Sequence, residues 1–359
     1  MIGSWMCGVV AVLALAGTGR AETVAWRDAL KQAASWYGSA EAVRIADNLL
    51  LYQRDTGGWD KNIDMAREIG AEDRARLLRE KHDPAALSTI DNDSTYTQMR
   101  YLARVHTAVK DRRYAAAFRK GFEYLMRAQY PNGGWPQFYP LRHGYWDHIT
   151  YNDDAMIGVL ETLRAIVRRE PEYTFLTDAE RARAQAAIGR GIECILKTQV
   201  KQHGKLTVWC AQHDEKTLAP AKARAYEHPS LSGSESVGIV EFLMGIERPS
   251  ADVVRAIEGA VEWFREVKIT GIRVVEKPAP GTPKGSDRTV VADASAPPLW
   301  ARFYELGTNR PIFSGRDSVI RYSMAEIEYE RRNGYRWYVD RPAALLEREY
   351  PAWAARVTR

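Results

Sequence analysis

The sequence predicts a mainly α-helical chain, an α/α toroid of repeated helical hairpins with one small β-hairpin excursion, forming a single domain over residues 22–359. Three observations carry this: apolar residues at three- and four-residue spacing, an internal repeat closed by tryptophan, and Asp, Asn or Ser clusters where each second helix would begin.

In the repeat, Leu51-Tyr52-Gln53-Arg54-Asp55-Thr56-Gly57-Gly58-Trp59 resembles the stretch from Leu125 through Gln129 and Gly133-Gly134 to Trp135, and a looser copy runs from Leu196 to Trp209. The tryptophans lie 76 and 74 residues apart, room for two helices and two loops per unit. Segments 40–52, 114–129 and 182–199 read as the first helices, each closed by a tryptophan loop. Second helices follow at 94–109, 155–167 and 236–246, with a fourth expected over 318–331. Their starts are Asp91-Asn92-Asp93-Ser94, Asn152-Asp153-Asp154, Ser232-Gly233-Ser234-Glu235 and Ser314-Gly315-Arg316-Asp317, all residue types that cap helices. Helical hairpins of this length wind into an α/α toroid or solenoid with one helix of each pair inside, which brings every second-helix start to one face. Between 267 and 299 the pattern loosens into two short strand-like runs, 269–275 and 289–291, around a Gly- and Pro-rich turn. The tail 340–359 is charged, helix-compatible and without a motif.

Residues 1–21 read as a secretory signal peptide: an apolar run from Val9 to Ala16, then small residues to Ala21. That run is too short to span a bilayer, and nothing later is longer, so no membrane association is expected and the protein is expected to be secreted or periplasmic. Export would permit Cys194 and Cys210 to pair, while two free buried thiols fit equally well. With 45% hydrophobic and 27% charged residues the chain is ordinary globular protein whose core must carry its stability. A formal net charge of +5 suits a polyanionic partner. No helix-turn-helix, zinc or RNA-binding signature makes that polyanion a nucleic acid. No linker or added binding module is visible, so a monomer is expected.

One acidic residue at a helix start is most simply a cap. Three consecutive Asp or Asn residues on each of two helices exceed what a cap needs, and their oxygens suit a hard cation, Ca²⁺ above all. The seven histidines make no paired ligand spacing. The Gly-Gly-Trp loops have two open uses, plugging the hairpin ends or stacking on sugar rings, and Trp135 is carried as a candidate for the second. Two arginine-bearing segments, Lys222-Ala223-Arg224-Ala225-Tyr226-Glu227-His228-Pro229 and Arg302 to Pro311, fall on the expected open face; arginine grips a carboxylate with two parallel bonds.

With these segments assembled, the chain resembles the family 10 polysaccharide lyases, which are pectate lyases. The resemblance rests on Gly57-Gly58-Trp59-Asp60-Lys61-Asn62, Thr89-Ile90-Asp91-Asn92-Asp93-Ser94-Thr95-Tyr96, Asn132-Gly133-Gly134-Trp135-Pro136-Gln137-Phe138-Tyr139-Pro140, Tyr151-Asn152-Asp153-Asp154-Ala155, Arg224-Ala225-Tyr226-Glu227 and Gly307-Thr308-Asn309-Arg310-Pro311. It implies Ca²⁺-dependent cleavage of polygalacturonate by β-elimination. It also implies Asp91, Asp153 and Asp154 around the metal, Asn92 and Arg310 on the substrate, and Arg224 as the catalytic base. Lys222, close in sequence, is a second basic candidate. An arginine base predicts a locally depressed pKa, because arginine is otherwise always protonated. Two other functions fit the same residues: a glycoside hydrolase using paired carboxylates, and a polysaccharide-binding protein without turnover.

Overall fold

The computed structural model describes residues 23–357, so the expected signal peptide lies outside the described residues. Its frame is a double arc of helices. The outer layer holds α1 (Ala40–Tyr52), α4 (Arg112–Ala128), α6 (Asp178–Thr198) and α8 (Ala251–Glu266); the inner layer holds α3 (Tyr96–Val109), α5 (Ala155–Val167) and α7 (Glu235–Met244). A further helix, α2 (Ala71–Lys81), covers the first loop. Inner helices touch in the order α3, α5, α7 and outer helices in the order α1, α4, α6, α8, the layering of an α/α toroid.

The two layers begin differently. Every outer helix has a side-chain cap: Ser39 for α1, Asp111 for α4, Thr177 with Glu180 in a capping box for α6, and Ser250 for α8. None of the inner helices has one; the residues preceding them, Thr95, Asp154 and Ser234, make no side-chain cap bond. The clusters expected to cap the inner helices therefore do something else. Their backbone is also bent into the left-handed region, with φ of 49° at Asn92, 59° at Asp93, 67° at Thr95, 51° at Asp153 and 57° at Asp154. Asp and Asn tolerate this conformation; a β-branched Thr does so only at a cost of about 1–3 kcal/mol.

Tryptophans decide where the inner helices start. Trp59, Trp135 and Trp209 are fully buried, and each indole N–H donates to a carbonyl in the last turn of the preceding outer helix: Leu49 at 2.9 Å, Leu125 at 2.8 Å and Ile195 at 2.7 Å. Trp300 does the same to Phe264 at 2.8 Å, a fourth copy of the repeat that the sequence pattern did not reveal. Glutamines finish the joint. Gln53, Gln129 and Gln199 each donate both to their own loop and to the next outer helix, at Ala117, Ala187 and Ala256. Gly57 and Gly133 sit at φ of 101° and 94°, and a Cβ there would fall 2.3 Å from the Lys120 carbonyl oxygen and 2.0 Å from that of Arg190. Trp135 is thus a plug, not a sugar platform, because no face of its ring reaches solvent.

Short antiparallel pairs lock successive repeats together. In β1 (Ser88–Thr89) and β2 (Phe138–Tyr139), Thr89 lies opposite Phe138; in β3 (Ile149–Thr150) and β4 (Gln212–His213), Thr150 lies opposite Gln212; in β5 (Leu231–Ser232) and β8 (Phe303–Tyr304), Ser232 lies opposite Phe303. Each second partner is the third residue after a plug tryptophan. The same Thr89, Thr150 and Ser232 donate their backbone N–H to the carbonyls of Trp59, Trp135 and Trp209.

The expected excursion is a seven-residue hairpin, β6 (Ile272–Pro278) with β7 (Ser286–Ala292), longer than the sequence suggested. The fourth inner helix expected over 318–331 does not form. That stretch holds a two-residue strand, a single helical turn at Met324–Glu326 and the start of a six-residue helix, Tyr329–Gly334. Its capping cluster, Ser314 to Asp317, instead turns into the paired strands Phe313–Ser314 and Ile320–Arg321. Cys194 and Cys210 are buried and unpaired. No helix among the described residues is long and apolar enough to cross a membrane.

Because the indole N–H of Trp135 satisfies a buried helix-end carbonyl, Trp135→Phe is expected to lower stability by about 1–3 kcal/mol, read as a shift of the urea unfolding midpoint.

Candidate active site

The ladder that fixes the inner helices also aims side chains. The second residue after each plug tryptophan is Lys61, Gln137, Ala211 or Arg302, and three of these four touch an acidic cluster. Lys61 Nζ and Gln137 Nε2 both donate to Asp91 Oδ2, the latter at 2.5 Å. Arg302, buried, donates to Asp153 Oδ1 at 3.1 Å, to Asn152 Oδ1 at 3.4 Å and to Glu235.

These groups surround a polar cavity of about 160 Å³ lined by Lys61, Asn62, Asp91, Asn92, Gln137, Tyr145, Asn152, Asp153, Gln212, Arg224 and Glu227. A larger cleft of about 490 Å³ shares Lys61, Asn62 and Asn92 with it. The structure therefore brings Asp91, Asn92, Asp153 and Arg224 together as the sequence suggested. Asn92 donates to Asn62 Oδ1 at 2.8 Å, which leaves its own amide oxygen available.

Other candidates lie elsewhere. Asp154 turns away from the cavity: Arg341 donates to its Oδ2 at 2.6 Å, and its Oδ1 sits against Gly238 of α7. Burial outweighs the pull of Arg341 and pushes this carboxyl up to about 6. Arg310 is exposed and lies flat on Tyr322, 3.6 Å from the ring centre, outside the cavity lining. Lys222 is exposed and donates to Ser318 Oγ, also outside the lining. Arg302 was the arginine of its segment that mattered, and its offset from Trp300 is the signal that would have found it.

Arg224 is held tightly. Its Nε donates to Glu227 Oε2 at 2.7 Å and its Nη2 to Oε1 at 2.5 Å, while Tyr335 donates its hydroxyl to the same Oε1 at 2.8 Å. Tyr335 also carries Arg302 over its ring at 4.7 Å, so one half-buried aromatic touches both arginine networks. Burial of Arg224 works against its charge, but the bonds and the charge of Glu227 outweigh it and hold the guanidinium above its ordinary pKa. The depressed pKa expected of an arginine base is thus absent in the substrate-free protein.

Asp91, Asp153 and Asp154 do not converge on one point as a carboxylate cage. Among the described residues the only convergence of His, Cys, Asp and Glu donors is His148, Asp214 and Glu215, within 4.8 Å of one another. That group is closed by its own partners: His148 pairs with Glu215 at 3.2 Å, and Asp214 Oδ1 accepts from the backbone of Lys216 and from both the backbone and hydroxyl of Thr217. In the cavity, by contrast, Asp91 Oδ1, Gln137 Oε1 and Gln212 Oε1 are buried with no hydrogen-bond partner. Three orphaned oxygens, one carboxylate and two amide, are the donor chemistry of a hard divalent cation.

An α/α toroid that gathers acidic, amide and arginine side chains in an open polar cavity is a carbohydrate-active enzyme suited to acidic polymers. The family model for pectic acid lyase matches residues 53–346, and the chain belongs to that family; it is a polysaccharide lyase. The chain is similar to a family 10 polysaccharide lyase from Cellvibrio cellulosa, with 34% identity and a TM-score of 0.76 over 92% of this chain and 95% of that one. A mutant of the family 10 lyase from the same organism, in complex with trigalacturonic acid, gives 34% identity and a TM-score of 0.75 over 90% and 95%. A comparison with curated proteins finds no match.

Two predictions follow from the buried charges. Arg302→Met leaves Glu235 without its buried cation and is expected to cost about 3–5 kcal/mol in chemical denaturation. His213, buried on β4, accepts from the Cys210 N–H at 3.1 Å and pairs with the Leu218 carbonyl at 2.9 Å, and burial drives its pKa down to about 4. A histidine depressed in the folded state binds fewer protons than in the unfolded chain. Stability should therefore fall as pH drops from about 6.5 toward 4. His213→Gln should be less stable at pH 7 and should lose that part of the slope, read from melting temperature against pH.

Proposed function

We propose that the protein is a secreted pectate lyase that cleaves polygalacturonate by Ca²⁺-assisted β-elimination, leaving 4,5-unsaturated ends. The observation that supports this most directly is the convergence of Asp91, Asp153 and Arg224 on one cavity whose buried oxygens lack partners. The trigalacturonic acid held by the related lyase and the net charge of +5 support the same substrate class.

Asp91 and Asp153, with the amide oxygens of Asn92, Gln137 and Gln212, would hold Ca²⁺; Asp154 has no part in that set. When bound, the cation draws electron density from the uronate carboxylate and so acidifies C5. Arg224 faces the same space and takes the C5 proton. A guanidinium can accept a proton only after releasing one, so the step requires the ion pair with Glu227 to loosen and Arg224 to give up a proton to solvent first. Tyr335 fixes Glu227 in this arrangement. As C5 loses its proton, the C4–C5 double bond forms, the C4–O4 bond breaks with its electron pair going to O4, and O4 takes a proton from solvent as the departing chain leaves. Water is not consumed. The leader-like apolar run from Val9 to Ala16, followed by small residues to Ala21, supports export.

Purified protein incubated with polygalacturonate should generate ultraviolet-absorbing unsaturated ends with Ca²⁺ and none with a chelator. Reducing ends without absorbance would indicate hydrolysis instead. Arg224→Ala is expected to lower kcat by about 10²–10⁴-fold. High activity of Arg224→Lys at alkaline pH would move the role of base away from the guanidinium.

A further inference from the structure

The loop between β2 and β3 carries an arginine that the reaction does not use. Arg142 lies over Trp146, its guanidinium carbon 4.1 Å from the ring centre, and 5.3 Å from the ring of Phe138. Two routes connect it to the cavity. Trp146 packs on Tyr145 with ring centres 4.3 Å apart, and Tyr145 lines the cavity beside Arg224. Lys61, which also lines the cavity, stands 5.6 Å from the ring of the same Phe138 that Arg142 approaches.

Arg224, Arg302 and Arg341 each face a carboxylate, and Arg142 does not. No hydrogen bond or ion pair to its guanidinium occurs among the described residues. The nearest carboxylate in its own loop, Asp147, is turned toward His143, whose ring nitrogen and backbone N–H both lie 3.1 Å from it. Contact with the Trp146 ring holds the guanidinium at the surface, and Arg142 is exposed, so its N–H groups are open to a carboxylate, which an arginine can grip with two parallel bonds. A neutral ester has lost the second equivalent oxygen and the charge, so the fork discriminates free acid from ester.

We propose that Arg142, held against the Trp146 ring at the cavity rim, binds the carboxylate of a galacturonate unit other than the one being cleaved, forming a further subsite for the acidic polymer. The proposal rests on the pectate lyase reading above. It makes the loop a determinant of preference for unesterified stretches of chain.

Affinity electrophoresis through gels containing polygalacturonate, or the same polymer fully methyl-esterified, reads binding whether or not bonds are cleaved. Arg142→Ala is expected to weaken binding to the free acid about tenfold, the loss of one exposed charge-assisted fork. Binding to the esterified polymer should stay at the wild-type level, and in turnover the change should appear in KM far more than in kcat. Arg142→Glu should weaken free-acid binding further. Equal losses on both polymers, or no loss in either variant, would overturn the subsite. A wild-type protein that binds the free acid but releases no unsaturated product would sink the lyase reading alone, because the binding comparison judges the subsite by itself.

Discussion

Everything that faces the cavity depends on a tryptophan seated against the end of an outer helix. The indole closes a buried carbonyl, its own carbonyl receives the strand that precedes an inner helix, and the glutamine before the loop ties the joint to the next outer helix. An aromatic of this size buries about 150–250 Å². The plug is therefore both a large hydrophobic anchor and a three-way junction in the backbone ladder. Two residues beyond the strand, the chain must turn sharply into the inner helix, and there the clusters at 91–95 and 152–154 adopt left-handed backbone.

That turn explains why the clusters carry chemistry. A residue that caps a helix spends its side-chain oxygen on the helix's own N–H groups, as Ser39, Asp111, Thr177 and Ser250 do in the outer layer. Asp91 and Asp153 make no such bond. Their oxygens accept from Lys61, Gln137, Asn152 and Arg302 or, at Asp91 Oδ1, from nothing, and so remain exchangeable for a ligand. The strain at Thr95 is the cost of this presentation, maintained because the surrounding repeat over-determines it.

The first three repeats were readable from sequence for physical reasons. Helical periodicity, caps and an indole ten to fourteen residues beyond its acceptor are local features, and the predicted outer helix 40–52 coincides with α1. The acidic clusters were recognised through the excess of Asp and Asn beyond what capping needs. Trp135 was misread as a possible platform because a motif does not tell which side of a ring is covered. The fourth repeat was hidden by the hairpin β6–β7, which separates Trp300 from its acceptor Phe264 by 36 residues and erases the period. Arg302 was lost with it, although it occupies the same offset from a tryptophan as Lys61 and Gln137.

The missing fourth inner helix has a consequence for the site. Where that helix would have closed the arc, the chain from Trp300 to Arg341 supplies arginines that reach back to the second and third repeats. Arg302 joins Asp153 to Glu235, and Arg341 joins Asp154 to Glu241, so each arginine ties the turn before α5 to α7. Tyr335, from the same stretch, places its hydroxyl on Glu227 and its ring beneath Arg302. The contacts of the two arginines span 67 to 187 residues, separations at which no local pattern can announce them. The stretch from Trp300 to Arg341 is therefore the wall that fixes the acidic clusters of the second and third repeats. Loosening it would be felt first as misplacement of Asp153 and Glu227, before any loss of the helical frame, because the frame is held by the tryptophan plugs, while Asp153 is held by Arg302 and Glu227 by Tyr335.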